Sequence, residues 1–254
     1  MKILVCMKQV PQKDAPLKLN ESGTWIRDDV SYEVNEPDAY ALEEALRQKE
    51  KHGGEVVVIT SGPARSQQVL REALAKGADR AIHLEGNEFV TLDAFNTAKA
   101  FASAIKEENF DLIFTGLQSD DFGFAQTGVI LAELLNLPHA SLILHIEKTG
   151  SGLEVKRELE EGWFQNIQLP TPAVLTIQSG GNKLRYATLM GIKRAKTKEL
   201  RQLAASDLGS AAPVVTLEQI SMPRKQKSTQ MLTGTPKEAA AALVEKLKTE
   251  VRVL

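Results

Sequence analysis

Short runs of apolar, mostly β-branched residues alternate with stretches of helical spacing through the first half of the chain. Ile3 to Met7, Val56 to Thr60, Ala81 to Leu84 and Leu112 to Thr115 are predicted strands. Between them, Ala39, Leu42, Ala45 and Leu46 share one helical face, as do Ala94, Ala98, Phe101, Ala102 and Ile105. Thr91 or Asp93 is placed to cap the second of these helices. Strands that are apolar throughout and separated by helices predict a parallel sheet covered on both faces, since each crossover lays a helix on the sheet. Such a sheet takes its ligand outside the carboxyl ends of its strands, near the point where strand order reverses.

Beyond Pro138 the pattern changes. Ser141 to Ile146, Leu153 to Leu159 and Gln165 to Leu169 are predicted strands, the first two joined by the turn Lys148-Thr149-Gly150-Ser151-Gly152. They predict an antiparallel addition to the sheet. Ala173 to Ile177 is a further apolar strand, and the polar stretch Gln178 to Lys183 leads from it into Leu184 to Leu189. From about Leu203 the chain reads as loop, with Gly209, Ala211-Ala212-Pro213 and the basic run Arg224-Lys225-Gln226-Lys227. Thr235-Pro236-Lys237-Glu238 then has the capping-box pattern with proline first in the helix. Leu243, Leu247 and Val251 follow at i, i+4 and i+8. A tail of this length has too little core to fold alone. The expected division is therefore an α/β domain over 1–202 and an arm over 203–254 that packs on this domain or on a partner.

Composition narrows the class. The chain has 254 residues, 43% hydrophobic and 25% charged, which is ordinary for a globular protein. A formal net charge of −2 argues against nucleic acid as the partner. A lone cysteine, Cys6, forms no intrachain disulfide and suits a reducing compartment. No run approaches the ~20 apolar residues of a membrane span, and the start lacks a signal-peptide layout. The expectation is a soluble intracellular protein with no membrane insertion.

The segment with the most chemistry in it is Thr115-Gly116-Leu117-Gln118-Ser119-Asp120-Asp121-Phe122-Gly123-Phe124-Ala125-Gln126-Thr127-Gly128, followed by the helix pattern Val129 to Leu135. A helix start offers N–H groups without intrahelical acceptors at the positive end of the macrodipole. A phosphate fits there, with Gly128 allowing close approach and the Thr127 hydroxyl adding a donor. An ordinary loop in which Thr127 caps the helix fits as well, and spacing leaves both readings open. The strand ends at Cys6 and Ser61 can converge on the same edge, although Cys6 also reads as a buried hydrophobe and Ser61 as a turn residue. Asn35, Glu36, Pro37 and Asp38 form a helix entry in which Asn35 caps and Asp38 complements the dipole. There is no GxGxxG, GxxxxGK[ST] or HExxH motif, and His52, His83, His139 and His145 are scattered. Asp120 and Asp121 adjoin in a loop, which is poor geometry for paired acid–base work.

These segments, taken in order, resemble the electron-transfer flavoprotein β-subunit family over nearly the whole chain. The matching pieces are Val5-Cys6-Met7-Lys8-Gln9-Val10, the VNxxDxxALExA pattern from Val34 to Ala45, Ser61-Gly62-Pro63-Ala64, the stretch from Ala73 to Arg80, the GxQ…DD…QTG loop, and Leu184-Arg185-Tyr186-Ala187-Thr188-Leu189. The resemblance implies a Rossmann-like nucleotide-binding fold in a heterodimer whose α subunit holds most of one redox-active FAD. It implies AMP bound to this subunit at Cys6, Asn35, Glu36, Pro37, Asp38, Ser61 and Leu117 to Gly128. It also implies a partner-docking segment, Arg185, Tyr186, Ala187, Thr188, Leu189 and Met190, in which Leu189 anchors a dehydrogenase. Without the family match, Leu189 reads as a core leucine.

The implied role is an electron carrier rather than an enzyme. Electrons would pass from acyl-CoA or related flavoprotein dehydrogenases to a quinone-linked oxidoreductase, in a bacterial cytoplasm or a mitochondrial matrix. Bifurcating relatives hold a second FAD in place of AMP, with loops reading like DGDTAQVG; the QTG ending here is of the AMP type. Relatives often carry a flavin-side aromatic after the first strand, where this chain has Gln12-Lys13-Asp14, so no residue is assigned to the flavin. The competing readings are a bifurcating β subunit and, in another class, a stand-alone AMP or ATP sensor.

Overall fold

The computed structural model describes residues 1–150, 152–208, 212–223 and 229–253. Ser151 of the predicted turn, Gly209, Ala211 and the basic run 224–227 lie outside the described residues.

The chain opens with β1 (Lys2–Cys6) and a small antiparallel pair, β2 (Gln9–Pro11) and β3 (Tyr32–Val34). Then come α1 (Glu36–His52), β4 (Glu55–Gly62), α2 (Gln67–Lys76), β5 (Arg80–Glu85), α3 (Ala94–Ala104), β6 (Leu112–Gly116) and α4 (Thr127–Leu134). Strands β7 (His139–Lys148), β8 (Leu153–Glu158), β9 (Phe164–Leu169) and β10 (Ala173–Ile177) precede α5 (Leu189–Ala195) and β11 (Leu200–Ala204). The last helix is α6 (Pro236–Lys246).

One nine-stranded sheet runs in the order β11-β5-β4-β1-β6-β10-β7-β8-β9. All pairings from β11 to β7 are parallel, and β8 and β9 add antiparallel strands at one edge. The α/β fold with an antiparallel addition is therefore present. One correction concerns β7, predicted as part of that addition: it pairs parallel with β10, so the antiparallel portion begins at β8. From β1 the chain builds outward through β4 and β5, then crosses to β6 on the other side of β1. Strand order thus reverses between β1 and β6.

Successive strand residues point to opposite faces, and the core divides accordingly. Ile3, Val5, Val56, Val58, Leu112 and Phe114 pack with Ala41, Leu42, Leu70 and Leu74 of α1 and α2. Leu4, Cys6, Val57, Ile59, Ile82 and Ile113 pack with Ala98, Phe101, Leu131 and Ala132 of α3 and α4. Asp93 is the cap of α3, its carboxylate accepting the Asn96 N–H at 2.7 Å. At the amino ends of the strands, Glu108 accepts from Arg80 and lies 2.9 Å from Lys2, while Arg80 also holds Glu55 at 2.8 Å.

The tail departs from expectation. Residues 200–204 form β11 in parallel register with β5, so the loop expected from about Leu203 begins later and a boundary at 202/203 cuts a strand. The chain separates instead into compact units Met1–Ile220 and Ser221–Leu254. In the second unit the capping box is formed, with Thr235 and Glu238 each bonding the other's backbone N–H. The stripe Leu243, Leu247, Val251 does not run along one α-helix, because Leu247–Val251 winds as a π-helix. The wider π turn rotates i+4 neighbours away from a common line.

Candidate functional site

The carboxyl ends of β1, β4 and β6 open into a cleft at the reversal point of the sheet. Of the residues singled out from sequence, Cys6, Asn35, Asp38, Ser61, Leu117, Gln118, Ser119, Phe122, Phe124, Ala125, Gln126, Thr127 and Gly128 line it. Glu36, Pro37, Asp120, Asp121 and Gly123 do not. Glu36 pairs instead with Lys13 on the surface, and Pro37 packs near Gly116.

The first turn of α1 builds the floor. Asp38 accepts the Lys8 N–H at 2.7 Å on one oxygen and the Gly116 N–H at 2.9 Å on the other, tying the end of β1 to the end of β6. Burial pushes its carboxyl up to about 7, against these donors, which favour the charged form. A Cβ on Gly116 would stand 2.3 Å from Asp38 Oδ1, so only glycine admits this approach. Asn35, expected to cap α1, makes no capping bond. Its buried amide spans the loop instead, donating to the Gln118 carbonyl at 2.9 Å and accepting the Asp120 N–H at 2.9 Å.

Loop 117–126 has a second fastening. Lys8 Nζ reaches Asp121 Oδ1 at 2.6 Å and lies 4.3 Å from the Phe122 ring centre. Phe122 stacks on Trp25 at 4.9 Å and on Phe124 at 5.4 Å. Burial lowers the pKa of the Lys8 ammonium, and Asp121 opposes that shift. The Cys6 thiol is raised far above its ordinary value by burial, which leaves it an inert part of the wall.

At the start of α4 the structure revises two expectations. Thr127 is the first helical residue rather than the cap, and Gln126 before it makes no side-chain capping bond. First-turn N–H groups are thus left uncapped by side chains at the cleft, a donor set that suits an anion. Gly128 is required by packing: a Cβ there would stand 2.5 Å from Thr115 Oγ1 and 2.7 Å from Thr176 Cγ2. Its hydrogen admits α4 onto the sheet, which differs from the phosphate approach expected.

Sequence reading missed the opposite wall, formed by Phe89, Leu92, Ala94, Thr97 and Phe101 with Thr115 at its base. Phe101 belonged to the predicted apolar face of α3, and nothing in its spacing separates core positions from cleft positions. A lining that joins apolar Phe89, Leu92 and Phe101 with a few polar side chains is that of a small-molecule site.

Segment 185–190 lies apart from the cleft residues in sequence and is held by α1 and α2. Arg185 bonds Glu43 at 2.8 Å and Glu50 at 2.6 Å. Thr188 caps α5 by accepting the Gly191 N–H at 3.0 Å. A Cβ on Gly191 would stand 2.1 Å from the Ala75 carbonyl, so the first turn of α5 sits directly on the end of α2. On this support Leu189 is 81% exposed and Tyr186 92%. Leu189 is therefore not a core leucine.

The electron transfer flavoprotein domain matches residues 23–208. The chain belongs to the electron transfer flavoprotein β-subunit family. It is 39% identical to the electron transfer flavoprotein subunit beta of Methylophilus methylotrophus, over 96% of this chain and 97% of the relative. The subunit beta of Thermoanaerobacterium thermosaccharolyticum is also 39% identical, over 97% and 98%. The acryloyl-CoA reductase electron transfer subunit gamma of Anaerotignum propionicum is 35% identical, over 97% and 98%. The family is one of flavoproteins that transfer electrons, and among the described residues no helix is long and apolar enough to cross a membrane.

Proposed function

We propose that this chain is the β subunit of a heterodimer that carries electrons from acyl-CoA or related flavoprotein dehydrogenases, through one FAD held mainly by an α subunit, to a quinone-linked acceptor. AMP occupies the cleft as a structural ligand. Bound flavin supplies the redox chemistry. The residues of this chain hold the nucleotide and present the docking segment. The observation that carries the reading is Leu189, an exposed leucine on a segment braced by Arg185 and Thr188. A large apolar side chain held out on a braced segment has area to bury in a partner's pocket, worth ~1.5–3 kcal/mol for a leucine.

A bifurcating role is the second reading, supported by the 35% identity to an acryloyl-CoA reductase subunit. Coexpression with the neighbouring subunit, acid release and chromatography of the bound cofactors separates the two. One FAD and one AMP per heterodimer fit the carrier; two FAD and no AMP fit the bifurcating subunit.

A further inference from the structure

The five methionines of the chain sit in different surroundings. Met7 is buried just past β1, and Met1 is partly buried. Met222 and Met231 are exposed in the second unit. Met190, at 58%, is the one exposed methionine among the described residues of the first unit. It follows Leu189 in the first turn of α5, with exposed Tyr186 before the pair and exposed Ile192 after it. That turn is fixed from two sides. Thr188 accepts the Gly191 N–H at 3.0 Å, and Gly191 lies against the Ala75 carbonyl with no room for a Cβ. The Met190 thioether therefore stays at the surface, in the same turn as the docking leucine. The lone cysteine does not compete for oxidants there, because Cys6 is buried and burial holds it as the unreactive thiol.

We propose that Met190 is a redox-modification site at which peroxide weakens docking of the partner. The inference rests on the reading of Leu189 as the anchor for a dehydrogenase. Hydrogen peroxide is the oxidant, a product of flavin chemistry with dioxygen. The sulfur lone pair attacks one peroxide oxygen, the O–O bond breaks and an S–O bond forms. The thioether is oxidised to the sulfoxide, and the departing hydroxide takes the proton of the transferred oxygen and leaves as water. The sulfoxide oxygen is a strong acceptor, which water satisfies while the segment is free. Inside an apolar pocket it loses that water and gains no donor, so binding weakens about tenfold, the scale of one unpaired polar group.

The test treats the full chain, coexpressed with its flavin-holding neighbour, with hydrogen peroxide and then removes the excess. Sulfoxide at each methionine is read by peptide mass spectrometry. In parallel, kcat/KM for the heterodimer is measured with a purified acyl-CoA dehydrogenase driven by octanoyl-CoA. Met190 is expected to oxidise along with Met222 and Met231 and ahead of Met7. As Met190 converts, kcat/KM is expected to fall about tenfold. Methionine sulfoxide reductases of both epimer specificities are expected to restore it. Met190→Leu is expected to keep its own untreated value after peroxide, while Met222→Leu combined with Met231→Leu falls as the parent does. Dithionite reduction, which bypasses docking, is expected to be the same before and after treatment. Full conversion of Met190 with kcat/KM unmoved overturns the inference, as does an equal fall in Met190→Leu. Met190 staying a thioether while Met222 and Met231 convert overturns it as well. Where Leu189→Ala slows the dehydrogenase, those outcomes leave the docking reading standing. Where Leu189→Ala has no effect, the docking reading falls and the inference with it.

Discussion

Single side chains divide the labour between the two ends of the sheet. At the amino end, Glu108 is held to about 2, well below its ordinary 4.5, chiefly by its hydrogen bonds from Arg80. Its stabilising contribution is therefore present above about pH 4.5 and lost as pH falls through about 2. Glu108→Gln is expected to cost about 1–2 kcal/mol at pH 7, between a surface pair and a charged hydrogen bond. Urea unfolding should show the gap between parent and variant closing across that acid window, and a gap independent of pH would remove the charge argument. At the exposed segment, burying Leu189 in a partner pocket is worth ~1.5–3 kcal/mol, or roughly 10- to 100-fold in affinity. Leu189→Ala should slow reduction by the dehydrogenase by that factor, with FAD content, dithionite reduction and Tm unchanged. A fall in Tm of the size expected for a core leucine would contradict its exposure. Asn35 shows where residue-level reading stops. Its position before a helix signals a cap, yet the amide finds its partners in Gln118 and Asp120, far along the chain. Local spacing carries no information on such a contact.

At the scale of elements, what was legible follows from how strongly each segment is buried. β1, β4, β5, β6 and β10 are nearly wholly buried, so each appears as a mostly apolar run. β11 is an edge strand that turns only Leu200 and Leu203 inward, with Arg201 and Gln202 exposed between them, so its pattern does not announce a strand. The cleft loop was legible as a strand–loop–helix unit, but its clamps were not, since Lys8 and Trp25 come from distant segments. Packing of α4 on the sheet gives a prediction at this scale. Gly128→Ala places a methyl 2.5 Å from Thr115 Oγ1 and 2.7 Å from Thr176 Cγ2. Overpacking of this kind costs about 1–3 kcal/mol. A lowered Tm is expected, and Thr176→Ser, which deletes the Cγ2 methyl, should recover part of it. If Gly128→Ala keeps the parent Tm and loses only nucleotide, the glycine serves ligand approach after all.

The whole molecule consists of a large unit that carries both the cleft and the docking segment and a small unit that buries nothing of its last helix. A truncation should therefore respect 220/221 and not 202/203. Cutting after 202 removes Leu203 from the apolar cluster it shares with α3 and loses the Leu203–Leu84 and Ala204–Glu85 pairings, with Leu200 the sole surviving apolar contact of β11. The lost burial and pairing amount to roughly 2–4 kcal/mol, a large share of the stability of any domain of this size. Cutting after Ile220 removes no strand of the sheet and none of the residues that line the cleft. The shorter cut is expected to unfold cooperatively near the parent Tm, and the longer deletion to melt lower or accumulate poorly. Helix α6 has a complete capping box and exposed Leu243 and Val244, features of a helix preformed for a partner surface. The chain ending at Ile220 should accordingly stay folded yet fail to copurify with the coexpressed α subunit. Heterodimer recovered at the parent yield from that chain would show that residues 221–254 are dispensable for assembly, and the partner contact would then have to lie on the first unit.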